Sequence, residues 1–196
     1  MSTEIDPAIE PVVVRAADHE RIRSDTASVV ERADGSLLIA YHSYSHGPEG
    51  GTDFGAAKIY LAESADGGRR WTNERMVADI LPGDLNVMSP FLCRVEDEIL
   101  LGYVRNHSPG DTSMHLHRSV DGGVSFGDSA PIWEHVDEYR IQGGASSLVR
   151  LDSGRLVLPM QSCDEVWVAD ENQWIGTCFS DDGGHTWNQS TNRIGL

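Results

Sequence analysis

Three copies of one eight-residue pattern constrain the fold of this chain more than any other feature of its sequence. The pattern is Ser-x-Asp-Gly-Gly-x-x-aromatic, found at residues 64–71, 119–126 and 180–187. Successive copies begin 55 and 61 residues apart. A near-constant period of this length is typical of propeller blades or solenoid units, in which one small supersecondary unit recurs along the chain. The octets therefore predict three copies of one structural unit.

The segments between the octets predict short β-strands joined by tight turns. Residues 28–32 and 36–42 are predicted strands on either side of Ala33-Asp34-Gly35, which is a hairpin turn signal. Similar apolar runs occur in the second and third units, and another runs into each octet. No stretch of a dozen residues shows a 3.6-residue apolar period, so we expect an all-β protein.

The chemistry of the octet fits a turn between two strands. Its two glycines can adopt positive φ, its aspartate can accept backbone N–H bonds across the loop, and its aromatic ring can pack back on the sheet. An EF-hand calcium loop needs oxygen ligands at alternate positions and a distal glutamate, which the octets lack. We therefore expect structural roles for the three octet aspartates, Asp66, Asp121 and Asp182.

The length of the repeat predicts a β-propeller built from four-stranded blades. A chain of 196 residues divided by a mean spacing of 58 gives about 3.4 units, fewer than the roughly four blades of the smallest usual propeller. The expectation from this arithmetic is an incomplete piece of a longer propeller, or a ring that closes by self-association through its open edges.

Composition limits the partners and the compartment. The formal net charge of −16 argues against nucleic acid and anionic membranes as partners, because both require a positive surface. The first ten residues resemble no signal peptide and no apolar run reaches the roughly 20 residues of a membrane span, which favours a cytoplasmic location. The three cysteines lack metal-site spacing and predict buried apolar packing, with no metal or cofactor; they are Cys93, Cys163 and Cys178.

Together with other motifs, the octets resemble the Asp boxes of the sialidase superfamily, whose catalytic domains are six-bladed propellers. The similarity extends from about residue 21 to residue 196 and includes motifs at 23–38, 52–55, 86–90 and 103–106. It implies an N-terminal segment at residues 1–20, followed by about three blades of a sialidase-type β-propeller. It also implies an exo-α-sialidase-like glycosidase that cleaves a terminal acidic sugar from glycans.

The resemblance also suggests site residues. Arg23 matches a clamp arginine for the substrate carboxylate, which a guanidinium fork can bind through two parallel bonds. Asp53 matches the acid/base aspartate, while the tyrosine and glutamate of the nucleophile are expected beyond residue 196. Arg105 is the predicted second arginine for an anionic ligand. Asn86 at a strand start and Tyr139 in a loop are predicted substrate contacts.

Two other functions fit the same sequence. A propeller with Asp boxes can recognise glycans without cleaving them. A related lyase or hydrolase could instead use a histidine for acid/base work, with His42, His46 or His107 as candidates. His115 and His117 share one face of a predicted strand, and we expect them to be hydrogen-bonded or solvated rather than to bind a metal.

Overall fold

The computed structural model describes residues 11–47, 49, 51–108, 111–133, 140–143, 148–163, 174–191 and 194–195. Within these ranges all regular secondary structure is β-strand, arranged in three antiparallel sheets. The prediction of an all-β chain is therefore confirmed for the residues that the structure describes. No helix long and apolar enough to cross a membrane occurs in the described part of the chain.

The first sheet contains four strands in sequential order. They are β1 (Arg21–Glu31), β2 (Leu37–Ser45), β3 (Ala57–Ser64) and β4 (Thr72–Ala78). The β1–β2 hairpin closes as the sequence predicts, since the Asp34 carboxylate accepts the Ser36 backbone N–H at 2.9 Å and Gly35 adopts a φ of 81°.

The second sheet repeats this arrangement. Its strands are β5 (Asn86–Val95), β6 (Glu98–Ser108), β7 (Asp111–Ser119) and β8 (Ala130–Trp133), again in sequential order. The pairing of β5 with β6 is interrupted by a register shift between Met88 and Phe91. The Phe91 ring lies so close to Gly102 that a Cβ there would sit 1.9 Å from a ring carbon, which requires glycine at that position.

The third sheet contains six strands, of which four pair in sequential order and two form additional pairings. The four are β10-β11-β12-β13, while β9 also pairs with β11 and β14 with β12. The strands are β9 (Arg140–Gly143), β10 (Val149–Arg150), β11 (Leu156–Cys163), β12 (Trp174–Ser180), β13 (Asn188–Gln189) and β14 (Ile194–Gly195).

Two apolar layers join the three sheets. Side chains alternate across a strand, and in β6 Leu101 packs with the first sheet while Leu100 packs toward the third. Leu61 and Leu158 are fully buried members of these two layers. The second sheet is therefore the middle layer. The predicted burial of cysteine is confirmed for Cys93 and Cys178; the side chain of Cys163 lies outside the described residues.

All three octets form the same hydrogen-bonded turn. In the second, the Ser119 hydroxyl donates to Asp121 at 2.7 Å and accepts the Gly123 N–H at 2.7 Å. The Asp121 carboxylate also accepts the Ser125 N–H at 2.9 Å, and bonding to Ser125 and Ser119 lowers the pKa of Asp121 to about 2. Equivalent bonds occur in the first and third octets. The octet carboxylates therefore accept hydrogen bonds within their own turns, as the sequence predicts.

The second glycine of an octet also packs against the preceding sheet. A Cβ on Gly123 would lie 2.6 Å from Leu38 of the first sheet, and one on Gly184 would lie 3.1 Å from Leu100 of the second. The Gly123 carbonyl additionally accepts a hydrogen bond from Arg75 of the first sheet. The second and third octet turns therefore connect neighbouring sheets as well as successive strands.

Adjacent glycines in the second octet provide a matched test of this packing. Gly122 and Gly123 both have positive φ, but nothing lies within 4 Å of a Cβ built on Gly122. We expect Gly122→Ala to lower the free energy of unfolding by about 1–2 kcal/mol through backbone strain alone. Gly123→Ala should cost about 2 kcal/mol more because its methyl group overpacks against Leu38. Urea unfolding measures both, and equal losses would contradict the proposed inter-sheet contact.

Candidate active site

The candidate site lies at the edge of the sheets opposite the octet turns. The octets join β3 to β4, β7 to β8 and β12 to β13. At the other edge β1 begins, the loop at residues 46–56 joins β2 to β3, and β5 begins. This topology brings together Arg23 near the start of β1, Asp53 in the loop and Asn86 at the start of β5.

Arg23 and Asp53 are in direct contact. Nη2 of Arg23 donates to Oδ1 of Asp53, and Nη1 donates to the carbonyl oxygen of Gly51 at 3.3 Å. The guanidinium carbon lies 4.1 Å from the centroid of the Tyr44 ring. Desolvation opposes the charge of Arg23, but bonding to Asp53 and the nearby charge of Asp25 outweigh it and raise the pKa of Arg23.

Tyr44 forms the floor of this contact. Its ring is fully buried, and its hydroxyl donates to Oδ1 of Asp53 at 3.4 Å. Burial raises the pKa of Tyr44, and the negative charge of Asp53 raises it further. Tyr44 therefore stays protonated and acts as a hydrogen-bond donor.

Asn86 holds the loop from below. Its side-chain amide donates to the carbonyl oxygens of Asp53 at 2.9 Å and Gly55 at 3.0 Å, and its own carbonyl oxygen accepts from Asn106 at 2.6 Å. Asn86 is only 1% exposed. In this structure it fixes the backbone that carries Asp53, so its predicted contact with substrate would require the loop to open.

Asp25 and His42 are also part of this cluster. Asp25 lies two residues after Arg23 on the same face of β1, with one carboxylate oxygen 2.7 Å from Nε of Arg23 and the other in contact with Nε2 of His42. His42 is fully buried, and its Nδ1 lies 3.3 Å from the Ser89 backbone nitrogen. Burial lowers the pKa of His42 to about 4, although the charge of Asp25 opposes the shift.

The sequence suggests no site role for Asp25 and only an acid/base role for His42. The strand period of two places residues 23 and 25 on one face, which was the available signal for Asp25. The position of His42 behind Asp25, away from solvent, depends on the pairing of β1 with β2. Complete burial is incompatible with direct contact between His42 and a substrate in this conformation.

Arg105 contacts Asp84 rather than Asp53. Its guanidinium contacts the Asp84 carboxylate, donates to the Asp79 carbonyl oxygen at 3.3 Å and lies 3.5 Å from the Tyr103 hydroxyl. The Arg105 and Asp84 side chains are 7% and 3% exposed. The structure therefore places Arg105 in a buried ion pair, whereas Arg23 is partly open to solvent.

Histidines extend the Arg105–Asp84 pair into a hydrogen-bonded network. Nδ1 of His107 lies 2.7 Å from Asp84, and its Nε2 lies 3.0 Å from the Ser113 hydroxyl. His115 contacts the same hydroxyl at 3.0 Å, and His117 contacts a tyrosine hydroxyl at 2.9 Å. His115 and His117 are thus hydrogen-bonded, as expected. Within the described ranges no group of three or more His, Cys, Asp or Glu side chains is arranged to hold a metal ion.

The remaining predicted contact, Tyr139, lies outside the described residues. The structure thus brings three of the five predicted site residues together, namely Arg23, Asp53 and Asn86. Arg105, which pairs with Val87 next to Asn86, is bonded to Asp84 instead.

Comparison with solved structures identifies a sialidase-like fold. The Hadza microbial sialidase Hz136 matches 87% of this chain at a TM-score of 0.70 and 21% identity, over 37% of its own length. Trypanosoma rangeli sialidase in complex with sialic acid matches 89% at 0.68 and 16% identity, over 31% of its length. A leech intramolecular trans-sialidase complexed with 2,7-anhydro-Neu5Ac matches 92% at 0.67 and 12% identity, over 45% of its length.

The chain therefore spans between about a third and a half of these structures. No protein-family model matches the sequence, and no curated protein matches it. At identities of 12–21% the similarity establishes the all-β, sialidase-like fold of the chain.

Buried histidines predict that stability depends on pH. The pKa values of His42 and His115 fall from 6.5 to about 4, chiefly through burial. Between these values the unfolded chain binds more protons than the folded chain, so the free energy of unfolding should decrease as pH falls through this range. The slope is at most about 1.4 kcal/mol per pH unit for each histidine.

Urea unfolding at a series of pH values between 7.5 and 4.5, roughly spanning the range over which histidine titrates, measures this slope. His42→Gln should make it shallower, because one titration is removed. His19→Gln is the matched control, since the His19 side chain is 89% exposed, and it should leave the slope unchanged. An identical slope in His42→Gln and the parent would contradict the assignment.

Proposed function

We propose that this chain contributes the carboxylate-binding and acid/base side of a sialidase-like glycoside hydrolase, acting on a terminal acidic sugar of a glycan. In this proposal the three sheets are blades of a six-bladed propeller. The observation that carries it is the direct contact between Arg23 and Asp53 at the open edge of the sheets. The sialic acid and anhydro-Neu5Ac bound to two of the similar structures support an acidic sugar.

Arg23 is the residue to which we assign the substrate carboxylate. Its Nη1 and Nη2 groups face residues 51–53, where they donate to Gly51 and Asp53. A planar carboxylate can replace both partners with two parallel charge-assisted bonds. A local cation is necessary because a net charge of −16 otherwise repels an anionic ligand.

Asp53 is the residue to which we assign proton transfer to the leaving oxygen. Displacement from Arg23 by the substrate carboxylate would free its carboxyl group at the site where the sugar binds. Tyr44 and Asn86 keep it there, through a bond to its side chain and a bond to its backbone. A general acid must lie within hydrogen-bond reach of the oxygen it protonates, and the held loop provides such a position.

The other predicted contacts have narrower roles in this proposal. Arg105 could bind an anionic group only by exchanging its buried partner Asp84, so we place it behind Arg23 in importance. Tyr139 remains a predicted substrate contact. We assign no nucleophile to this chain.

Binding of sialic acid to the chain, measured by titration calorimetry, tests the proposal. We expect Arg23→Ala to weaken binding by about tenfold or more, because charge-assisted hydrogen bonds are lost. Asp53→Asn should instead strengthen binding, by up to about fivefold, since it removes the carboxylate that competes for Arg23 in an exposed ion pair. Arg94→Ala is the control, because this exposed arginine lies at the octet end of β5.

Equal affinities for the parent and Arg23→Ala would rule out the assigned carboxylate site. A loss of affinity in Asp53→Asn as large as that in Arg23→Ala would contradict the competition between the two carboxylates for Arg23.

A glycan-binding protein without catalytic activity is the second candidate. The Arg23–Asp53 contact fits it as well, because the arginine alone supplies recognition of an acidic sugar. Hydrolysis of a fluorogenic sialoside separates the two candidates when it is measured on this chain together with the part of the enzyme that supplies the nucleophile, because we assign no nucleophile to the chain itself. An enzyme should lose turnover in Asp53→Asn while retaining binding, whereas a glycan-binding protein should show the same binding effects with no turnover in any variant.

A further inference from the structure

We propose that Asp25 and His42 are positioning residues, a pair that sets the orientation of Arg23 so that its Nη1 and Nη2 groups face an incoming carboxylate. The inference deepens the proposed function and rests on it for the identity of the ligand. The arrangement itself is a property of the ligand-free chain and can be tested separately.

The guanidinium of Arg23 is held on three sides. Asp25 lies 2.7 Å from Nε, the centroid of the Tyr44 ring lies 4.1 Å from the guanidinium carbon, and Gly51 and Asp53 accept from the two terminal nitrogens. Only the last two partners can leave with a movement of the loop, since Asp25 and Tyr44 belong to paired strands. A substrate carboxylate would therefore meet an arginine whose Nε side and plane are already fixed.

His42 in turn holds Asp25. The Ser89 N–H donates to Nδ1 of His42 at 3.3 Å, so Nδ1 carries the lone pair and the proton of the neutral ring is on Nε2. Nε2 contacts the Asp25 oxygen that does not face Arg23. Because burial lowers the pKa of His42 to about 4, the ring is neutral near pH 7 and the tautomer is set by the backbone of β5.

The contacts of Asp25 are close but poorly aligned. Neither Nε of Arg23 nor Nε2 of His42 forms a well-directed hydrogen bond, although both nitrogens are shielded from solvent. Asp25 thus acts mainly as a negative charge placed between a guanidinium and an imidazole N–H. Thr26 also donates to the carboxylate, at 3.3 Å. His42 and Thr26 hold the carboxylate in place, although the Asp25 side chain is 40% exposed.

The backbone is irregular at the residue that follows Asp25 and at the residue that contacts His42. The register of β1 shifts between Asp25 and Ser28, and Thr26 has a φ of 45°. In β5 the register shifts between Met88 and Phe91, and Ser89 has a φ of 55°. Such bulges re-aim side chains, and positive φ at a residue other than glycine costs energy. Here Thr26 directly follows Asp25, and Ser89 carries the N–H that contacts His42, so both irregularities lie at contacts of the pair.

The charged and titratable groups around His42 lie on β1, on β2 and in the loop that joins β2 to β3. Arg23 and Asp25 lie on β1, Tyr44 lies beside His42 on β2 with ring centroids 5.1 Å apart, and Asp53 lies in the loop. From β5, the backbone N–H of Ser89 contacts the ring.

Nuclear magnetic resonance of the 15N-labelled chain tests the arrangement without any ligand. We expect a sharp Arg23 Nε–H resonance, assigned by its absence in Arg23→Lys, because rotation of the guanidinium is restrained. His42→Leu and Asp25→Ala should shift it toward the position of exposed arginines and increase its exchange with water by about tenfold. His42→Gln should restore it, because the amide places an N–H near the position of Nε2.

Ligand affinity provides the second test, with sialic acid and its methyl ester as probes. In the parent the acid should bind about tenfold more tightly than the ester. Asp25→Ala and His42→Leu should reduce that ratio toward one, largely by weakening the acid, and His42→Gln should retain it. A merely structural role would weaken both probes equally.

The outcomes separate the two proposals. If the parent binds neither probe but the Nε–H resonance responds as expected, the positioning role stands and the proposed ligand is wrong. If His42→Leu and Asp25→Ala leave both the resonance and the affinity ratio unchanged, the positioning role is overturned. Because His42→Leu alters a buried site and could unfold the chain, Asp25→Ala, at a partly exposed residue, decides the result in that event.

Discussion

The packing of octet glycines against the preceding sheet is the constraint on which the arrangement of the sheets depends. Gly123 leaves room for Leu38, and Gly184 leaves room for Leu100, so that one octet geometry sets the spacing of two successive sheet pairs. The octet turns then lie at one edge of the sheets, and the candidate site lies at the opposite edge. That alignment brings the start of β1, the loop after β2 and the start of β5 together, and the candidate site is built there.

The site joins side chains from two sheets around one arginine. β1 supplies Arg23 and Asp25, β2 supplies Tyr44 and His42 beneath them, and β5 supplies Asn86 under the loop. Two carboxylates contact one guanidinium, so the free site carries excess negative charge near Arg23. An acidic ligand must therefore displace one carboxylate, and Asp53 is the one carried by a loop. In this account Asp53 contacts Arg23 in the free chain and faces the sugar once the ligand has displaced it.

Local signals in the sequence were sufficient for the strands and turns. The Asp34-Gly35 hairpin and the octet bonds of Ser119 and Asp121 depend on residues at most five positions apart, so the sequence pattern alone predicts them. Arg23 and Asp53 were assigned through resemblance; the structure places them in contact, and their roles in binding and catalysis remain proposals.

The remaining parts of the site depend on distant partners. His42 meets Ser89 across 47 residues, at a register shift in β5 that no sequence pattern marks. Arg105 was predicted as a second arginine for an anionic ligand, and the carboxylate that it contacts in the structure belongs to Asp84, 21 residues earlier. Such pairings follow from which strands pack together, which single-sequence reasoning does not provide.

A crystal structure of the chain with sialic acid tests the central claim most directly. The account predicts the sugar carboxylate on Nη1 and Nη2 of Arg23, with Asp53 turned away from the guanidinium and Asp25 unmoved. A sugar bound elsewhere on the chain, or bound at this edge with the Arg23–Asp53 contact intact, would contradict it.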